Sequence, residues 1–348
     1  MLSSRVGFTK EEVRRSRAYN RPRDIALVAD LALAAGVLVL LRRVELPVPF
    51  WPAACLTPAL VELLVAAARL PVGVWRLRHD RRFGLSTQAA RGFAADAAKG
   101  AAVGAALTTA ALAPLFALAH ALPRAWPWLA APGAALLALV VGFLAPVVLE
   151  PVFNRVRPLA DEKLGQRLHA LAAAVGAPVR EILVADASRR TRRENAYVSG
   201  LGRTRRVVLW DTLLAAPADE IAVVLAHELG HRVRRHVALL AAVGAAAAAA
   251  FVVLLRLVLD RPRPADTGLV LLLGLGAEVA ALPLLAALSR RLERSADRFS
   301  LAATGDRAAF LALHRRLALA NLADLEPPKW LYYWSFTHPT ATERLRDT

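Results

Sequence analysis

The chain alternates between long apolar stretches and arginine-rich polar segments. Six apolar stretches are long enough to cross the hydrocarbon core of a bilayer, for which a helix needs about 20 residues. They are Ile25–Leu41, Pro52–Val74, Gly100–Leu122, Trp126–Leu149, Val237–Leu259 and Leu269–Leu288. Small residues recur within them, and small residues allow helices to pack closely in lipid. The pattern predicts a mainly α-helical, polytopic membrane bundle of about six spans.

The polar residues between these stretches predict a small α+β unit outside the membrane. The longest polar segment, 150–236, contains leucines at helical spacing and short β-type runs, which favour a helix and strands. Pro217, followed by two acidic residues, is typical of the start of a helix. The other predicted elements are a helix around Leu164–Val175, strands at Glu181–Val184 and Arg206–Trp210, a strand from Asn195 into a glycine turn at Gly200–Gly202, and C-terminal helices at Ser289–Ala303 and Arg307–Leu322.

The chain is therefore expected to have three parts. Residues 1–24 form a basic tail, and residues 25–149 form a membrane region of four spans. Residues 150–348 hold the polar segment and two further spans, at about 237–259 and 269–288. The tail is too long and too polar to be the leading part of a cleavable signal peptide, so none is predicted.

Composition agrees with a membrane protein and excludes several other classes. The 348 residues are 57% hydrophobic and only 21% charged, which is more apolar than most soluble domains. The net charge of +17 could indicate a nucleic-acid partner, but the sequence has no nucleic-acid-binding motif and no aromatic residues among its basic stretches. Nucleic acid is therefore not expected as a partner. The single cysteine, Cys55, excludes an internal disulfide and a cysteine-based zinc site.

The distribution of arginine predicts the orientation in the membrane. Segments 1–24, 76–99, 150–236 and 289–348 are rich in arginine, whereas the connections around Arg43, Arg124 and Asp260–Thr267 carry few positive charges. With six spans these two sets fall on opposite faces, and the positive-inside rule assigns the arginine-rich set to the cytoplasm. We therefore expect a multi-pass protein of the cell membrane with both termini in the cytoplasm.

The segment His227–His231, with the sequence HELGH, has the spacing of a zinc site. Its two histidines lie one turn apart on one face of a helix, with Glu228 beside them. Two such imidazoles can ligate zinc, and the glutamate can activate a water. The alternative is a pair of surface histidines without a metal. His236 follows His231 by five residues and falls off the zinc face, so we expect it to be an interfacial residue and not a ligand.

An acidic pair follows the last apolar stretch. Catalytic zinc needs a third protein ligand and an open position for water. Glu293 and Asp297 are four residues apart, so both face the same side of a helix. One carboxylate can ligate the metal while the other hydrogen-bonds a ligating histidine. The competing interpretation is a solvated acidic pair among the neighbouring arginines.

The combination of these segments resembles the type I CAAX prenyl endopeptidase family, which are integral-membrane zinc proteases of the gluzincin kind. The resemblance rests on the HELGH helix, one hairpin of spans and a Glu-x-x-Ala-Asp motif. Further matching segments are Arg82–Thr87, Pro151–Asn154, Asn195–Tyr197 with Gly200–Gly202, Arg206–Leu213, and Ser335–Pro339 with Glu343–Leu345. The match covers about residues 76–345. A composition rich in alanine and arginine is typical of GC-rich bacterial genomes, so a bacterial member is expected.

The resemblance implies a role for each candidate residue and one zinc ion per chain. The implied metal ligands are His227, His231 and Glu293, and the implied substrate-binding residues are Asn195, Tyr197 and Arg344. For Arg344 two alternatives stay open, electrostatic bracing of the site and an ordinary surface arginine. The implied catalytic residues are Glu228 as general base, Asp297 as the group that orients a zinc histidine or donates a proton, and His338 as a group that stabilises the oxyanion. Eukaryotic members of the family have seven spans around a large chamber, whereas six are predicted here.

The favoured function is a membrane-embedded zinc endopeptidase that works at the cytoplasmic membrane face, with the bilayer and a peptide or membrane protein as partners. Its substrates are either C-terminal peptides, as in CAAX processing, or misfolded membrane proteins, and a bacterial source favours the broader set. Intramembrane site-two proteases also carry HExxH, but within an apolar span, whereas Arg232, Arg234 and Arg235 follow the motif here. A non-catalytic scaffold or transporter with a vestigial metal site is the remaining alternative.

Overall fold

The computed structural model describes residues 7–148, 150–199 and 206–346, so the predicted turn at Gly200–Gly202 lies outside the described residues. The helices are α1 Lys10–Leu40, α2 Phe50–Arg82, α3 Ala90–Ala121, α4 Trp126–Val148, α5 Glu150–Phe153, α6 Glu162–Ala174, α7 Ala218–Val233, α8 His236–Val258, α9 Thr267–Thr304, α10 Arg307–Ala320, α11 Lys329–Ser335 and α12 Ala341–Arg346. The strands are β1 Val156–Pro158, β2 Glu181–Ala185, β3 Ala196–Ser199 and β4 Arg206–Trp210.

Five of the described helices are long and apolar enough to cross a membrane, namely α2, α3, α4, α8 and α9. They contain five of the six apolar stretches that the sequence predicted. These helices leave many large hydrophobic side chains uncovered, such as Leu136, Leu257 and Leu284. Such uncovered apolar surface is costly in water and favourable in lipid. The mainly α-helical membrane bundle is therefore confirmed.

The sixth predicted stretch, Ile25–Leu41, forms the second half of α1. This helix falls short of the same measure because Arg23, Asp24 and Asp30 all lie within its last 18 residues. Asp30 is buried and pairs with Arg69 of α2 at 2.8 Å, which compensates the charge inside the bundle. The apolar residues around it pack against α2 and α9. The polar first half of α1 accounts for most of the predicted N-terminal tail, which is therefore helical.

The arginine-rich segments meet at one end of the bundle. In α1, the Ser16 hydroxyl donates to the Ala323 carbonyl at 2.8 Å, so the start of the chain is held against the segment after α10. Ser86, in the loop between α2 and α3, forms an isolated β-bridge with Thr191. These contacts join segments that are far apart in the sequence into one polar region.

The connections with few positive charges meet at the opposite end. The Val44 N–H donates to the Ala265 carbonyl at 3.0 Å, and the Trp126 indole donates to the Asp260 carbonyl at 3.0 Å. The two sets of connections predicted from arginine content are therefore separated by the length of the bundle. α1 has its first residue at one end and its last at the other, so it runs alongside the five apolar helices.

The polar end contains a four-stranded sheet in the order β1-β2-β4-β3. β2 and β4 are parallel, and the outer pairs are antiparallel. α6, α7 and α10 cover one face through a core in which Leu168, Leu209 and Leu225 are fully buried. Three of the strands lie where they were predicted. β1 was missed because it has only three residues and ends in Pro158, which gives almost no alternating pattern.

Two long helices bring the sequence motifs together. Pro217 immediately precedes α7, so the helix begins where the sequence predicted. The ranges Leu269–Leu288 and Ser289–Ala303 are helical, as predicted, but they belong to one continuous helix of 38 residues, α9. No helix-breaking residue lies at the junction, and the buried Arg290 donates to carbonyls of α11 and its C-cap, so the polar part of the helix is held in place. α9 therefore extends from the apolar bundle into the polar region, alongside α7.

Candidate metal centre

The HELGH histidines lie where α7 packs against α9. Gly230 faces Ala296 and Phe299 so closely that a Cβ built on it would be 3.2 Å from the Ala296 Cα. A side chain at this position would therefore hold the two helices apart. Because Gly230 has none, the histidines of α7 come within reach of Glu293, which lies one turn before Ala296 on α9.

Three possible metal-binding side chains converge at this contact. The Nε2 atoms of His227 and His231 are 3.1 Å apart. Glu293 places Oε2 at 3.3 Å from the His227 Nε2 and Oε1 at 3.3 Å from the His231 Nε2. The three donors form a group whose ligand atoms all lie within 4.8 Å of one another. Of the two carboxylates that the sequence offered as a third ligand, Glu293 is the one that lies beside the Nε2 atoms of both histidines.

The donor set fits a zinc ion. Two ligands at 2.0–2.1 Å from a tetrahedral zinc are about 3.4 Å apart, and the two Nε2 atoms, at 3.1 Å, are close to this separation. Each Nε2 also lies 3.3 Å from one oxygen of the Glu293 carboxylate. Two imidazoles and one carboxylate are also a donor set that catalytic zinc uses, with one position left for water. The arrangement is poorly explained by hydrogen bonding alone, since two imidazole Nε2 atoms face the same point.

Asp297 supports the site from behind His227. Its Oδ1 lies 2.9 Å from the His227 Nδ1, on the side of the ring that faces away from His231. Burial lowers the pKa of His227, but the Asp297 and Glu293 carboxylates outweigh burial and raise that pKa to about 9. A carboxylate on the outer nitrogen fixes the tautomer that leaves Nε2 free for a metal.

Arg344 joins the two acidic residues. Its NH2 group lies 2.8 Å from the Glu293 Oε2, and its Nε lies 2.8 Å from the Asp297 Oδ2. Only 14% of the Arg344 side chain is exposed, so these ion pairs are weakly screened by solvent. Arg344 was predicted as a substrate-binding residue, and in this structure it contacts a predicted metal ligand and the carboxylate that orients His227.

Glu228 lies between the histidines and the edge of the sheet. Burial raises the pKa of its carboxyl, while nearby His227 and His231 act in the opposite direction. The backbone N–H of Val198, in β3, donates to this carboxylate. The predicted general base is thereby in contact with the strand predicted to align a substrate.

β3 is an edge strand of the described sheet, because in the described part of the chain it pairs only with β4. The Trp210 N–H donates to the Asn195 carbonyl at 3.0 Å, which fixes the alternation of the antiparallel ladder. By that alternation, the main-chain N–H and C=O groups of Tyr197 face β4, whereas those of Ala196 and Val198 face the open edge. The N–H groups of Ala196 and Val198 already donate to Asn195 and Glu228, so the carbonyls of these residues are the main-chain groups that the edge offers beside Glu228.

The side chains of Asn195 and Tyr197 lie in different places. Asn195 lines a cavity of about 170 Å³ together with His227 and Glu228, and its Oδ1 accepts from the Ala196 N–H at 2.9 Å. The Tyr197 side chain packs on the other face of the sheet, beside Val208. Neither the ring of Tyr197 nor its main chain, which faces β4, is directed to the open edge of β3.

His338 reaches the site from the segment after α11. Its Nε2 lies 3.4 Å from the Glu293 Oε1, and 63% of its side chain is exposed. It also lines the cavity that contains His227 and Glu228. A solvent-accessible imidazole at the rim of the donor group is well placed to meet a substrate, although 107 residues of sequence separate it from His231.

Three residues of this region had no clear signal in the sequence. His236 is buried, and its Nδ1 lies 3.1 Å from the Nδ1 of His231. His314 lies 3.9 Å from Asp297, and burial, followed by the charge of Arg344, lowers its pKa to about 3. Arg316 forms ion pairs with Glu220, at the start of α7, and with Glu194, which precedes Asn195. Only the spacing of His236 from the HELGH segment could have drawn attention to one of them.

Two protein-family models match the chain. The model for peptidase family M48 matches residues 158–348, and a model described as the CAAX prenyl protease N-terminal region, with five membrane helices, matches residues 51–155. The first match covers the donor group, the general-base candidate and the edge strand. The second covers α2, α3 and α4, so together with the five apolar helices it identifies a multi-pass membrane protein.

Individual proteins are similar over parts of their length. The protein named uncharacterized metalloprotease YhfN of Bacillus subtilis is 31% identical over 223 residues, which are 60% of this chain and 52% of that protein. CAAX prenyl protease 1 of Saccharomyces cerevisiae is 44% identical over 96 residues, which are 27% of this chain and 21% of that protein. The aligned regions thus span about half of the bacterial relative and about a fifth of the yeast one.

The fold is similar to that in the crystal structure of S. mikatae Ste24p. The TM-score is 0.81, with 22% sequence identity, over 97% of this chain and 89% of that chain. The likeness therefore extends across both the helical bundle and the polar region, and at this identity it concerns the fold.

Proposed function

The chain belongs to peptidase family M48, and we propose that it is a membrane-embedded zinc endopeptidase that cleaves peptide bonds at the cytoplasmic membrane face. The resemblance to CAAX prenyl endopeptidases expected from its motifs is confirmed by the family matches. The observation that carries the proposed activity is the convergence of His227, His231 and Glu293 from two helices, with Glu228 beside them. A bacterial relative that is named a metalloprotease supports the same activity.

One zinc ion per chain would be held by His227, His231 and Glu293. When bound, zinc supplies a Lewis acid that polarises a carbonyl and lowers the pKa of water. Asp297 would hold the proton on the His227 Nδ1, which keeps the Nε2 lone pair directed at the metal. Arg344 would fix the orientation of both acidic side chains, since it contacts Glu293 and Asp297 at 2.8 Å.

Glu228 would act as the general base. It would accept a proton from the attacking water and pass that proton to the leaving amide nitrogen as the peptide bond breaks. Its burial favours this role, because a carboxyl whose pKa is raised holds the transferred proton more readily. His338, at the exposed rim, would donate a hydrogen bond to the carbonyl oxygen as negative charge develops there.

An extended peptide would bind along the open edge of β3. The carbonyls of Ala196 and Val198 face this edge, and the N–H groups of an added strand would donate to them without regard to sequence. Asn195 would contact the peptide near the scissile bond, since it lines the same cavity as Glu228. We propose membrane proteins or C-terminal peptides as substrates, the latter because the yeast relative is named a CAAX prenyl protease.

The peptidase region would comprise residues 150–348, including the spans in α8 and α9, and the four preceding helices would form the rest of the membrane region. Six helices run between the two ends of the bundle, so both ends of the described chain lie on the same side. The arginine content of that side favours the cytoplasm, and we propose the cell membrane as the location. The bilayer is then a permanent partner of the apolar helices.

The decisive experiment compares the wild type with Glu228→Gln in purified, detergent-solubilised full-length protein. We expect the variant to retain about one zinc per chain and to lose essentially all peptidase activity, because only the proton-accepting carboxylate is gone. Glu45→Gln, at the opposite end of the bundle, is the matched control and should remain fully active. Cleavage of the same substrate at a near-normal rate by Glu228→Gln would show that the assigned role is wrong.

Metal content tests the ligand set and the enzymatic proposal together. Glu293→Ala should lose both metal and activity, since only the two histidines remain as ligands. Stoichiometric zinc in this variant would remove Glu293 from the ligand set. Wild-type protein that carries well under one zinc per chain after careful purification would favour the non-catalytic scaffold instead.

A further inference from the structure

His236 returns to the metal centre through an unusual turn. α7 ends at Val233 and α8 begins at His236, and between them Arg235 has φ 57°, in the left-handed region. A non-glycine residue rarely takes this conformation, because its Cβ crowds the following carbonyl. Such strain persists only where the surrounding structure requires it, and it is concentrated near functional sites. The consequence of this turn is the placement of the first side chain of α8.

The turn brings two imidazole rings together. The Nδ1 atoms of His236 and His231 are 3.1 Å apart, and the rings are nearly perpendicular, with an interplanar angle of 79°. His236 is buried, with an exposed fraction of 5%. A buried ring nitrogen needs a hydrogen-bond partner, and the partner of the His236 Nδ1 is the His231 Nδ1.

Only one arrangement of protons satisfies both this contact and a metal site. The His231 Nε2 faces the His227 Nε2 and the Glu293 carboxylate, so it must offer a lone pair if a cation is to bind there. The proton of the neutral His231 ring is then on Nδ1, and this N–H must donate. The acceptor is the His236 Nδ1, which requires His236 to be neutral with its own proton on Nε2.

We propose that His236 is a positioning residue that fixes the ring orientation and the tautomer of His231 by accepting its Nδ1–H. This inference rests on the proposed zinc peptidase function. The two histidine ligands would then be oriented by different groups, His227 by the carboxylate of Asp297 and His231 by the neutral imidazole of His236. Loss of such an outer hydrogen bond typically weakens metal binding about 10- to 100-fold.

The test uses three substitutions at one position. In His236→Asn the side-chain oxygen lies close to the position of the original Nδ1 and can accept the same hydrogen bond. In His236→Gln the oxygen lies one bond farther out, and in His236→Leu there is no acceptor. His169→Asn, on the exposed face of α6, is the matched control for removal of an imidazole.

Zinc affinity of the purified full-length proteins is measured by competition with a chromophoric chelator, and thermal unfolding is measured on the metal-free forms. We expect His236→Asn and His169→Asn to bind zinc within about threefold of the wild type, and His236→Gln and His236→Leu to bind it about 10- to 100-fold more weakly. If the leucine variant fails to fold, the comparison of asparagine with glutamine decides, because both are polar and differ in where the acceptor lies.

Equal zinc affinity in the asparagine and glutamine variants, or wild-type affinity in the leucine variant, would overturn the role of His236. These outcomes differ from those expected if the proposed function is wrong. If the proposed function is wrong, the wild type itself would lack stoichiometric zinc, or Glu228→Gln would remain active. If the wild type binds zinc and all His236 variants bind it equally well, the role of His236 is refuted and the proposed function is not affected.

Discussion

Gly230→Ala should weaken the metal site by forcing α7 and α9 apart. A Cβ at this position would lie 3.1 Å from the Phe299 Cδ1 and 3.2 Å from both the Ala296 Cα and the Phe299 Cβ. Carbon atoms in favourable contact are about 3.5–4.0 Å apart. The phenyl ring can turn, but the Ala296 Cα belongs to the backbone of α9. That helix must therefore move by a few tenths of an ångström, and it carries Glu293.

The expected size of the effect follows from two opposing contributions. Replacing glycine by alanine inside a helix is favourable by up to about 1 kcal/mol. An added methyl group in a tightly packed contact costs about 1–3 kcal/mol. We therefore expect metal-free Gly230→Ala to be about 1 kcal/mol less stable than the wild type. Because metal–ligand distances tolerate only about 0.2 Å, we also expect zinc to bind about tenfold more weakly.

The assay is zinc competition together with thermal unfolding of the metal-free protein. Gly244→Ala, in α8, is the matched control, because a Cβ there has no neighbour within 4 Å. This control should be neutral or slightly stabilised and should keep wild-type zinc affinity. Unchanged zinc affinity in Gly230→Ala would show that close approach of the two helices is not what positions Glu293.

Two further predictions test the packing far from the site and the ionisation near it. Gly268→Ala should strongly destabilise or unfold the protein, because its Cβ would lie 2.0 Å from the Leu41 carbonyl oxygen. Gly276→Ala is the control and should be tolerated, because a Cβ there has no neighbour within 4 Å. Equal unfolding temperatures of the two variants would contradict this contact. Burial lowers the pKa of His314 to about 3. As the pH falls below 6.5, the unfolded chain therefore binds a proton that the folded protein does not. This difference lowers the free energy of unfolding by about 1.4 kcal/mol per pH unit. His314→Gln should therefore lose less thermal stability than the wild type between pH 6.5 and 4.5, and parallel curves would exclude this role for His314.

Much of the fold could be predicted because its signals are local. Hydrophobic runs of the length of a membrane span predicted α2, α3, α4, α8 and the apolar part of α9. Helical spacing predicted α6, and β-type runs predicted three of four strands. The sequence did not predict the continuity of α9 at Ser289, because a change from apolar to polar residues resembles the end of a helix even where the backbone continues.

The sequence by itself determined which chemistry is available. The spacing of His227 and His231 depends only on the period of a helix, so a pair of imidazoles with Glu228 beside them is fixed as soon as α7 forms. The four-residue spacing of Glu293 and Asp297 has the same basis. Which of these two carboxylates meets the imidazoles was left open, since spacing within one helix says nothing about its rotation against another.

Only the tertiary structure decided how these parts combine. The missing side chain at Gly230 sets the distance between α7 and α9, and the resulting contact places Glu293 at both Nε2 atoms and Asp297 at the outer nitrogen of His227. Packing also placed the Tyr197 ring on the far face of the sheet and folded His236 back onto His231. These relations depend on close packing between segments far apart in the chain, and no local pattern of hydrophobic and polar residues encodes such distances.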